Sequence, residues 1–399
     1  MTRERLTAHL PRRGFLAAAA SLTVLRPGSA RGAPANDALE LGLIGCGGRG
    51  NWVANLFQKH TPARLVATHD YFTQKAQNTG ERYKVPSEQR FDGLEGYKRL
   101  VECKLDAVAI ESPPYFHPPQ AAAAVDAGKH VYVAKPIAVD VPGCHTIAQA
   151  GEKASAANLC FLVDFQTRAN DFYREAVRRV HAGDLGTLVL AQANYHTGSL
   201  GRRGWGPKPE QRLRGWVRDV ALSGDIIVEQ NIHALDVATW CLDAHPLKAV
   251  GTGGNKAHQG AGDCYDHYCV TFTFPHDVVV DFSSTQCIRG HSDIGCLVYG
   301  TAGTAHTHYG GHVMIRGNKS YKGGDTGPIF TQGAVANMKT FHQNVTQGRF
   351  DNPTVAPSVR SNLTCVLGRT AGRQGRMVTW DEMIEANEKI DARLEGLEA

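Results

Sequence analysis

The sequence lacks the features that mark membrane-spanning and nucleic-acid-binding proteins. No internal stretch approaches the roughly 18 consecutive apolar residues that a membrane-spanning helix needs. Lysine and arginine number 43 against 38 aspartate and glutamate residues, which gives a formal charge of +5. Much of that charge lies in an arginine-rich N-terminus, and the rest of the chain is close to neutral. We therefore predict no nucleic-acid partner and no stable membrane insertion.

Paired cysteines are also missing. The ten cysteines form no C-x-x-C motif and no metal-type spacing with histidine. Most of them lie in apolar runs, where a thiol is usually a small core residue. We therefore predict neither a disulfide framework nor a metal site. A chain of 399 residues is long enough for two domains with separate cores.

The N-terminus has the pattern of a targeting segment. Arg12 and Arg13 precede a short apolar region at 15–25, and Ala33-Pro34-Ala35 is typical of a cleavage site. The alternative is a basic, alanine-rich tail. We predict a twin-arginine signal peptide over residues 1–35, which implies the twin-arginine export machinery as a partner and a periplasmic or otherwise exported protein. Because that pathway carries folded proteins, a cofactor would be acquired before export.

In the remaining chain, the pattern of apolar and polar residues changes near residue 164. Between 36 and 163, short apolar runs alternate with amphipathic stretches, which predicts an α/β domain with a doubly wound parallel sheet. Its strands are predicted at 41–45, 65–70, 107–111, 130–133 and 160–163. From 164 to 345, longer alternating strands predict an α+β domain on a largely antiparallel open sheet, with a long loop at 198–214. Residues 346–399 are predicted to form helices that pack back on the core, the last of them at 380–397.

A glycine motif follows the first predicted strand. Gly45, Gly47 and Gly50 form G-x-G-x-x-G, and Asp70 ends the second strand. The first glycine allows a tight turn, the second lets the backbone approach a pyrophosphate, and the third permits close packing of helix and strand. The alternative is a purely structural turn. Strand, glycines, helix, strand and acid in this order predict a dinucleotide site, with Gly48 and Arg49 in the same turn. An acid at Asp70 accepts ribose hydroxyls and repels a 2′-phosphate, so NAD is favoured over NADP.

Three further segments contain polar side chains that are suited to catalysis or binding. Ser112, Pro113 and His117 follow the strand at 107–111, where the loop of a doubly wound sheet faces the nicotinamide half of a dinucleotide. A proline-rich loop in which His117 caps the next helix is the alternative. Lys135 ends the next strand before Pro136, a position from which it can donate a proton or hydrogen bond. A surface turn is the alternative there.

The third segment comprises residues 224–236, where we predict that one amphipathic helix begins. Glu229 and His233 are four residues apart and share a helical face, so the carboxylate can orient the imidazole as a general base. Together with Asp236 they also have the spacing of metal ligands, but no matching cluster follows. A solvated polar face is the remaining alternative.

Together, the glycine turn and these segments resemble the motifs of the glucose–fructose oxidoreductase / inositol dehydrogenase / MocA superfamily over almost the whole mature chain. The glycine turn, Ser112-Pro113 with His117, and Lys135-Pro136 follow the order of that superfamily, as does Glu229-x-x-x-His233. The resemblance implies a Rossmann domain that binds NAD, and a second domain whose open sheet often mediates oligomerisation, so we expect a dimer or tetramer. It also implies that Lys135 and His233 flank the reacting sugar hydroxyl.

Two departures bear on the chemistry that the resemblance implies. Ala134 stands where the family has a glutamate before the lysine, and Glu229 and Asn231 replace an aspartate and a glycine.

The predicted function is an NAD-dependent oxidoreductase that acts on a hydroxyl of a sugar, polyol or glycoside. One alternative is an NAD-dependent glycoside hydrolase that oxidises, eliminates, hydrates and re-reduces. Another is a sugar-binding protein without activity. Candidate substrate-binding residues, besides His233, are Tyr195, His196, Arg168 and Trp216.

Overall fold

The computed structural model describes residues 38–200 and 205–399 of the chain. Residues Ala38–Ala399 form one compact unit. The predicted signal peptide lies outside the described residues.

The N-terminal part is a six-stranded parallel sheet with the strand order β3-β2-β1-β4-β5-β6. Its strands are β1 (Leu39–Ile44), β2 (Ala63–His69), β3 (Arg90–Phe91), β4 (Ala107–Ile110), β5 (His130–Ala134) and β6 (Phe161–Asp164). Its helices are α1 (Gly48–His60), α2 (Thr73–Arg82), α3 (Gly96–Glu102), α4 (His117–Asp126) and α5 (Val141–Ala156). The five predicted strands are confirmed to within two residues, and only the two-residue β3 was missed.

The second part contains helix α6 (Asp171–His181) and a nine-stranded sheet. The long strands are β7 (Leu188–His196), β8 (Lys248–Gly254), β9 (His267–Thr273), β10 (Val279–Thr285) and β11 (Asp293–Gly300). The shorter strands are β12 (Gly303–His308), β13 (His312–Gly317), β14 (Tyr321–Asp325) and β15 (Val378–Thr379). In the described part of the chain, every strand pairing of this sheet is antiparallel except that of β7 with β10. The predicted fold class is therefore confirmed.

Seven helices complete the two layers in the described ranges. They are α7 (Pro209–Arg214), α8 (Val220–Ser223), α9 (Ile226–Glu229), α10 (Ile232–Leu242), α11 (Ile329–Gln347), α12 (Val355–Gln374) and α13 (Trp380–Ala386). Helix α11 returns to the parallel sheet, where Phe341 packs edge-on against Tyr132 and Phe57 with ring centroids 5.7 and 6.2 Å apart. No helix among the described residues combines the length and apolarity needed to cross a membrane.

Two predicted helices are corrected by the structure. The helix expected at 224–236 is divided, because Gln230 has φ −114° and α10 starts afresh at Ile232. The helix expected at 380–397 ends at Ala386, where Asn387 takes a left-handed φ of 42°. The chain beyond Asn387 is not helical and lies against the parallel-sheet domain, where the amide of Leu94 donates to the carbonyl of Glu398 over 3.0 Å.

Candidate functional site

The glycine turn joins β1 to α1. Gly45 has φ +94°, a conformation that other residues rarely adopt. A Cβ on Gly50 would lie 1.8 Å from the carbonyl oxygen of Gly45, so this helix packs on the turn only with glycine. A Cβ on Gly47 or Gly48 would meet no atom within 4 Å. Open space therefore lies in front of the free N–H groups of α1, which suits a pyrophosphate.

Asp70 shapes the next part of the cleft. Its Oδ2 accepts the backbone N–H of Cys46 over 2.9 Å, and its Oδ1 accepts that of Phe72 over 3.0 Å. These bonds fix the carboxylate beside the glycine turn, and Asp70 lines one cavity with Gly45 and Gly47. Its position is the one that an adenosine ribose requires. The cleft thus fits the dinucleotide that the sequence predicts.

An apolar cover closes the adenosine end of this cavity. Leu213 and Trp216 line it together with Asp70. Behind them, the C-terminal segment contributes Ala392, whose carbonyl accepts a hydrogen bond from Arg212 over 2.6 Å. Trp216, predicted to bind substrate, therefore lies at the cofactor end of the cleft.

The loop after β4 lines the same cavity through Ser112 and Pro113. His117 lies behind it, with Nε2 2.7 Å from the carbonyl oxygen of Ser112 and Nδ1 2.8 Å from that of Pro136. Burial lowers the pKa of His117 to about 4, so at neutral pH the neutral ring donates to one of these carbonyls at a time. His117 braces the two loops that carry Ser112 and Lys135.

Lys135 lies at the end of β5, in the part of the cleft beyond the glycine turn that we call the reacting end. Its Nζ donates to the backbone carbonyl of Glu229 over 2.6 Å and lies 3.9 Å from Oε1 of that residue. Burial lowers the pKa of Lys135 below its ordinary value of 10.5, while the Glu229 carboxylate opposes the change. The contact that the structure shows for Glu229 is thus with Lys135, and α9 serves to position that amine.

His233 lies at the start of α10 and is buried, with 6% of its surface exposed. Its ring stacks on Tyr195 at 6.5 Å between centroids, and Tyr309 lies at 5.2 Å. Burial lowers the pKa of His233 well below 6.5, and the charges of Lys135 and Arg49 lower it further. The imidazole is therefore neutral at pH 7, and its Nδ1 has no hydrogen-bond partner. A neutral imidazole has one ring nitrogen that can accept a proton.

Two carboxylates and a tyrosine at this end were not predicted. Arg49 forms ion pairs with Glu111 (Nε–Oε2 3.0 Å) and with Asp164 (Nη2–Oδ2 2.6 Å). Tyr309 follows β12 and reaches His233. A signal for the acids was present, because each ends or follows a strand that is otherwise apolar. Tyr309 had none, since it lies in a turn far from the other site residues in sequence.

Two predicted substrate residues are directed elsewhere. The guanidinium of Arg168 makes three hydrogen bonds of 2.8–3.1 Å to the carboxylate of Asp236. His196 bonds Ser283 over 3.0 Å on the outer face of the sheet, because successive strand residues alternate and Tyr195 faces inward. Only Tyr195 and His233 of the five substrate candidates meet at the reacting end.

Comparison with known proteins agrees with this architecture. Residues 39–161 match the model of an oxidoreductase family with an NAD-binding Rossmann fold, and residues 173–306 match the GFO/IDH/MocA C-terminal domain. Inositol 2-dehydrogenase of Burkholderia cenocepacia (strain HI2424) is 27% identical over 67% of this chain and 73% of its own. That of Acidothermus cellulolyticus is 24% identical over 79% and 87%.

Solved structures share the fold at lower identity. Scyllo-inositol dehydrogenase from Lactobacillus casei, with bound NAD(H) and scyllo-inositol, has a TM-score of 0.68 and 20% identity over 86% of this chain and all (100%) of its own. Aldose-aldose oxidoreductase from Caulobacter crescentus, complexed with glycerol, has a TM-score of 0.67 and 18% identity over the same shares, 86% and 100%. With the glycine turn, Asp70 and the two matched domains in place, the chain belongs to the GFO/IDH/MocA oxidoreductase superfamily, and its cofactor is NAD.

Proposed function

We propose that this protein is an NAD-dependent oxidoreductase that acts on a hydroxyl of a sugar, polyol or glycoside, with Lys135 and His233 as its acid–base pair. The observation that carries the proposal is that a buried amine at the carboxyl edge of the parallel sheet lies near enough to a neutral buried imidazole for its charge to lower the imidazole pKa. The relatives named as inositol 2-dehydrogenases support a polyhydroxylated substrate.

The chain's own groups divide the work as follows. His233 accepts the hydroxyl proton, because its lowered pKa keeps the imidazole neutral and one ring nitrogen free of a proton. The Lys135 ammonium, held by Glu229, donates a hydrogen bond to the same oxygen and stabilises the negative charge that develops there. Tyr195 and Tyr309 enclose the imidazole and keep water from it. When bound, NAD would supply the hydride acceptor.

A substrate screen tests this proposal. Inositols, aldoses and alkyl glycosides are offered with NAD, with detection of NADH absorbance and of the oxidised product. We expect at least one class to give stoichiometric NADH and ketone. The proposal is overturned when protein shown to bind NAD by calorimetry oxidises no member of these classes.

A second candidate is the NAD-dependent glycoside hydrolase. Elimination of an aglycone needs more proton-transfer groups than simple oxidation, because a proton next to the ketone must leave and the departing oxygen must gain one. The reacting end offers such groups: Glu229 has an unpartnered Oε2, and Tyr309 lies beside His233. Aryl glycosides with catalytic NAD distinguish the two functions. Release of the phenol without net NADH supports hydrolysis, and net NADH without phenol supports oxidation.

We also propose that the protein is a homo-oligomer that associates through the outer face of the nine-stranded sheet. Leu190, Val279 and Tyr299 are neighbours across three strands on that face, and Val250 is 49% exposed near its edge. Light scattering of the purified protein tests this, with Val250→Lys as the variant. A mass equal to one chain for the unmodified protein would contradict the proposal.

Export through the twin-arginine pathway is proposed from Arg12 and Arg13, the apolar region at 15–25 and Ala33-Pro34-Ala35. The test is fractionation of cells that produce the full chain or its Arg12→Lys/Arg13→Lys variant. We expect the full chain in the exported fraction and the variant inside the cell. Equal distribution of the two chains would remove the proposal.

A further inference from the structure

Three residues form one row at the carboxyl edge of the parallel sheet. Ala134, the last residue of β5, pairs with Asp164 on β6. On the other side, Ile110 of β4 pairs with Val133, which places Glu111 next to Ala134. The row therefore holds a carboxylate, an alanine and a carboxylate on three adjacent strands.

Both carboxylates contact one guanidinium, that of Arg49. Arg49 lies in the first turn of α1, within the phosphate-binding turn Gly47–Gly50. Its Nε is 3.0 Å from Oε2 of Glu111, and its Nη2 is 2.6 Å from Oδ2 of Asp164. The guanidinium of Arg49 is therefore directed at the carboxylates on the edge of the sheet.

Burial keeps both acids away from water and in contact with Arg49. The side chains of Glu111 and Asp164 are both 0% exposed, whereas that of Arg49 is 29% exposed. A buried carboxylate is costly unless it is paired. Asp164 accepts a hydrogen bond from Arg49, whereas Glu111 contacts the guanidinium as an ion pair, without a hydrogen bond of good geometry. Asp164 has further donors, since Asn337 and Gln166 contact its two oxygens over 2.8 and 2.9 Å. Glu111 has Arg49 as its one ion-pair partner in the described residues.

We propose that Glu111 and Asp164 are positioning residues for the cofactor, because through Arg49 they fasten the phosphate-binding turn Gly47–Gly50 to strands β4 and β6. The turn then presents its N–H groups in one arrangement before NAD arrives, and a preorganised site binds more tightly. This role concerns NAD alone and holds whichever sugar or glycoside the protein acts on.

The contact of Arg49 with Glu111 is sensitive to pH. Burial raises the pKa of Glu111 to about 7, and the neighbouring Arg49 charge opposes that rise. The other charged or titratable groups that face it are Asp164 on β6 and Lys135 and Tyr132 on β5. Above pH 7 the ionised carboxylate holds Arg49. Below pH 7 Glu111 is neutral, and its ion pair with Arg49 is lost.

Calorimetric titration with NAD, without substrate, tests the proposal at pH 6 and pH 8. We expect Glu111→Gln to weaken NAD binding about tenfold at pH 8 and less than threefold at pH 6, where the native Glu111 is itself protonated. The double variant Glu111→Ala/Ala134→Glu moves the carboxylate one strand along the row, and we expect it to regain affinity to within about threefold. Asp184→Asn is the matched control. That carboxylate lies between Arg179 and Lys319 in the second domain, away from the cleft.

The outcomes separate a positioning role from a structural one. We expect the melting temperature of Glu111→Gln without NAD to stay at or above that of the native protein at pH 8. Unchanged NAD affinity at pH 8 overturns the proposal, and so does an equal loss at pH 6 and pH 8. A loss of affinity that follows a fall in melting temperature assigns Glu111 a structural role and overturns it as well. Because no sugar is present, failure of the proposed oxidoreductase activity cannot produce any of these results.

Discussion

The two ends of the cofactor cleft are built in different ways. The glycine turn and the acid of the adenosine end come from one contiguous stretch, in which β1, the turn, α1 and β2 lead directly to Asp70. The reacting end is assembled from α1, β4, β5, β6, α9 and α10, so that Lys135 meets Glu229 across 94 residues of chain. The adenosine end is a backbone site that glycine geometry dictates. The reacting end is a side-chain site that only the tertiary fold creates, and its ionisable groups shift one another's pKa.

The largest effect should come from breaking the reacting end alone. Lys135→Met keeps the length of the side chain and removes the amine that Glu229 holds. We expect kcat to fall about 10³-fold, the usual scale for loss of a proton-transfer or charge-stabilising group. NAD affinity, measured by calorimetry, should change less than about threefold, since the glycine turn is untouched.

The control for this experiment is Lys153→Met, which removes an exposed lysine paired with Asp126 outside the cleft. Its activity should equal that of the native protein. Loss of NAD affinity in Lys135→Met in step with kcat would show that the two ends are not separable.

A second test concerns the free energy of unfolding that the protein loses by burying Glu111 at the reacting end. The folded-state pKa of Glu111 is raised from 4.5 to about 7 by burial, so this group favours folding below about pH 4.5 and loses that contribution as pH rises through 7. Relative to Glu111→Gln, the native protein should therefore be more stable at pH 5 than at pH 8. The shift corresponds to a difference on the order of 3 kcal/mol.

Denaturant unfolding of both proteins without NAD, at several pH values, measures this difference. A gap between native protein and Glu111→Gln that does not change with pH would contradict the assignment of the titration to Glu111. A positive result means that the protein retains a destabilising buried acid, which agrees with a role in holding Arg49.

A third test addresses the adenosine end. The Cβ of Gly47→Ala meets no protein atom within 4 Å, and Gly47 already has an ordinary φ of −72°. The variant should fold as the native protein does, yet its methyl group enters the space in front of the α1 N–H groups. We expect NAD affinity to fall about 30-fold, since close approach of the pyrophosphate depends on this glycine.

Gly50→Ala is the contrast, because its Cβ would lie 1.8 Å from the Gly45 carbonyl oxygen. It should lower the melting temperature as well as NAD affinity. If Gly47→Ala destabilises the protein equally, the glycine at 47 serves the fold and not the ligand.

The same contrast explains what the sequence could predict. The parallel sheet, its glycine turn and Asp70 were predictable because alternating apolar runs and backbone-specific glycines are local signals. Lys135, Glu229 and His233 were predicted as site residues from their residue types and from the family resemblance. Their contacts were not predictable, because Lys135 meets α9 only through the packing of two domains.

One error and one omission have specific physical causes. Helical spacing placed Glu229 and His233 on one face, but the chain turns at Gln230, and the two side chains belong to separate helices. The row formed by Glu111, Ala134 and Asp164 depends on strand order and register, which a single sequence does not encode in any local pattern.

The smallest effect should come from removing the cover of the adenosine end. The C-terminal segment packs Ala392, Leu394 and Leu397 with Leu213 and Trp216, and the amide of Ile390 bonds Asp140 over 2.8 Å. Deleting residues 388–399 leaves α13 intact and should speed NAD release about fivefold, which corresponds to about 1 kcal/mol of lost apolar contact. Stopped-flow fluorescence measures the release rate.

Because the segment lies over the adenosine half, the deletion should accelerate release of adenosine monophosphate by the same factor and leave the kcat of saturated enzyme unchanged. An effect on NAD without one on adenosine monophosphate would place the action of the segment at the reacting end, and the two ends would then be coupled through the C-terminus.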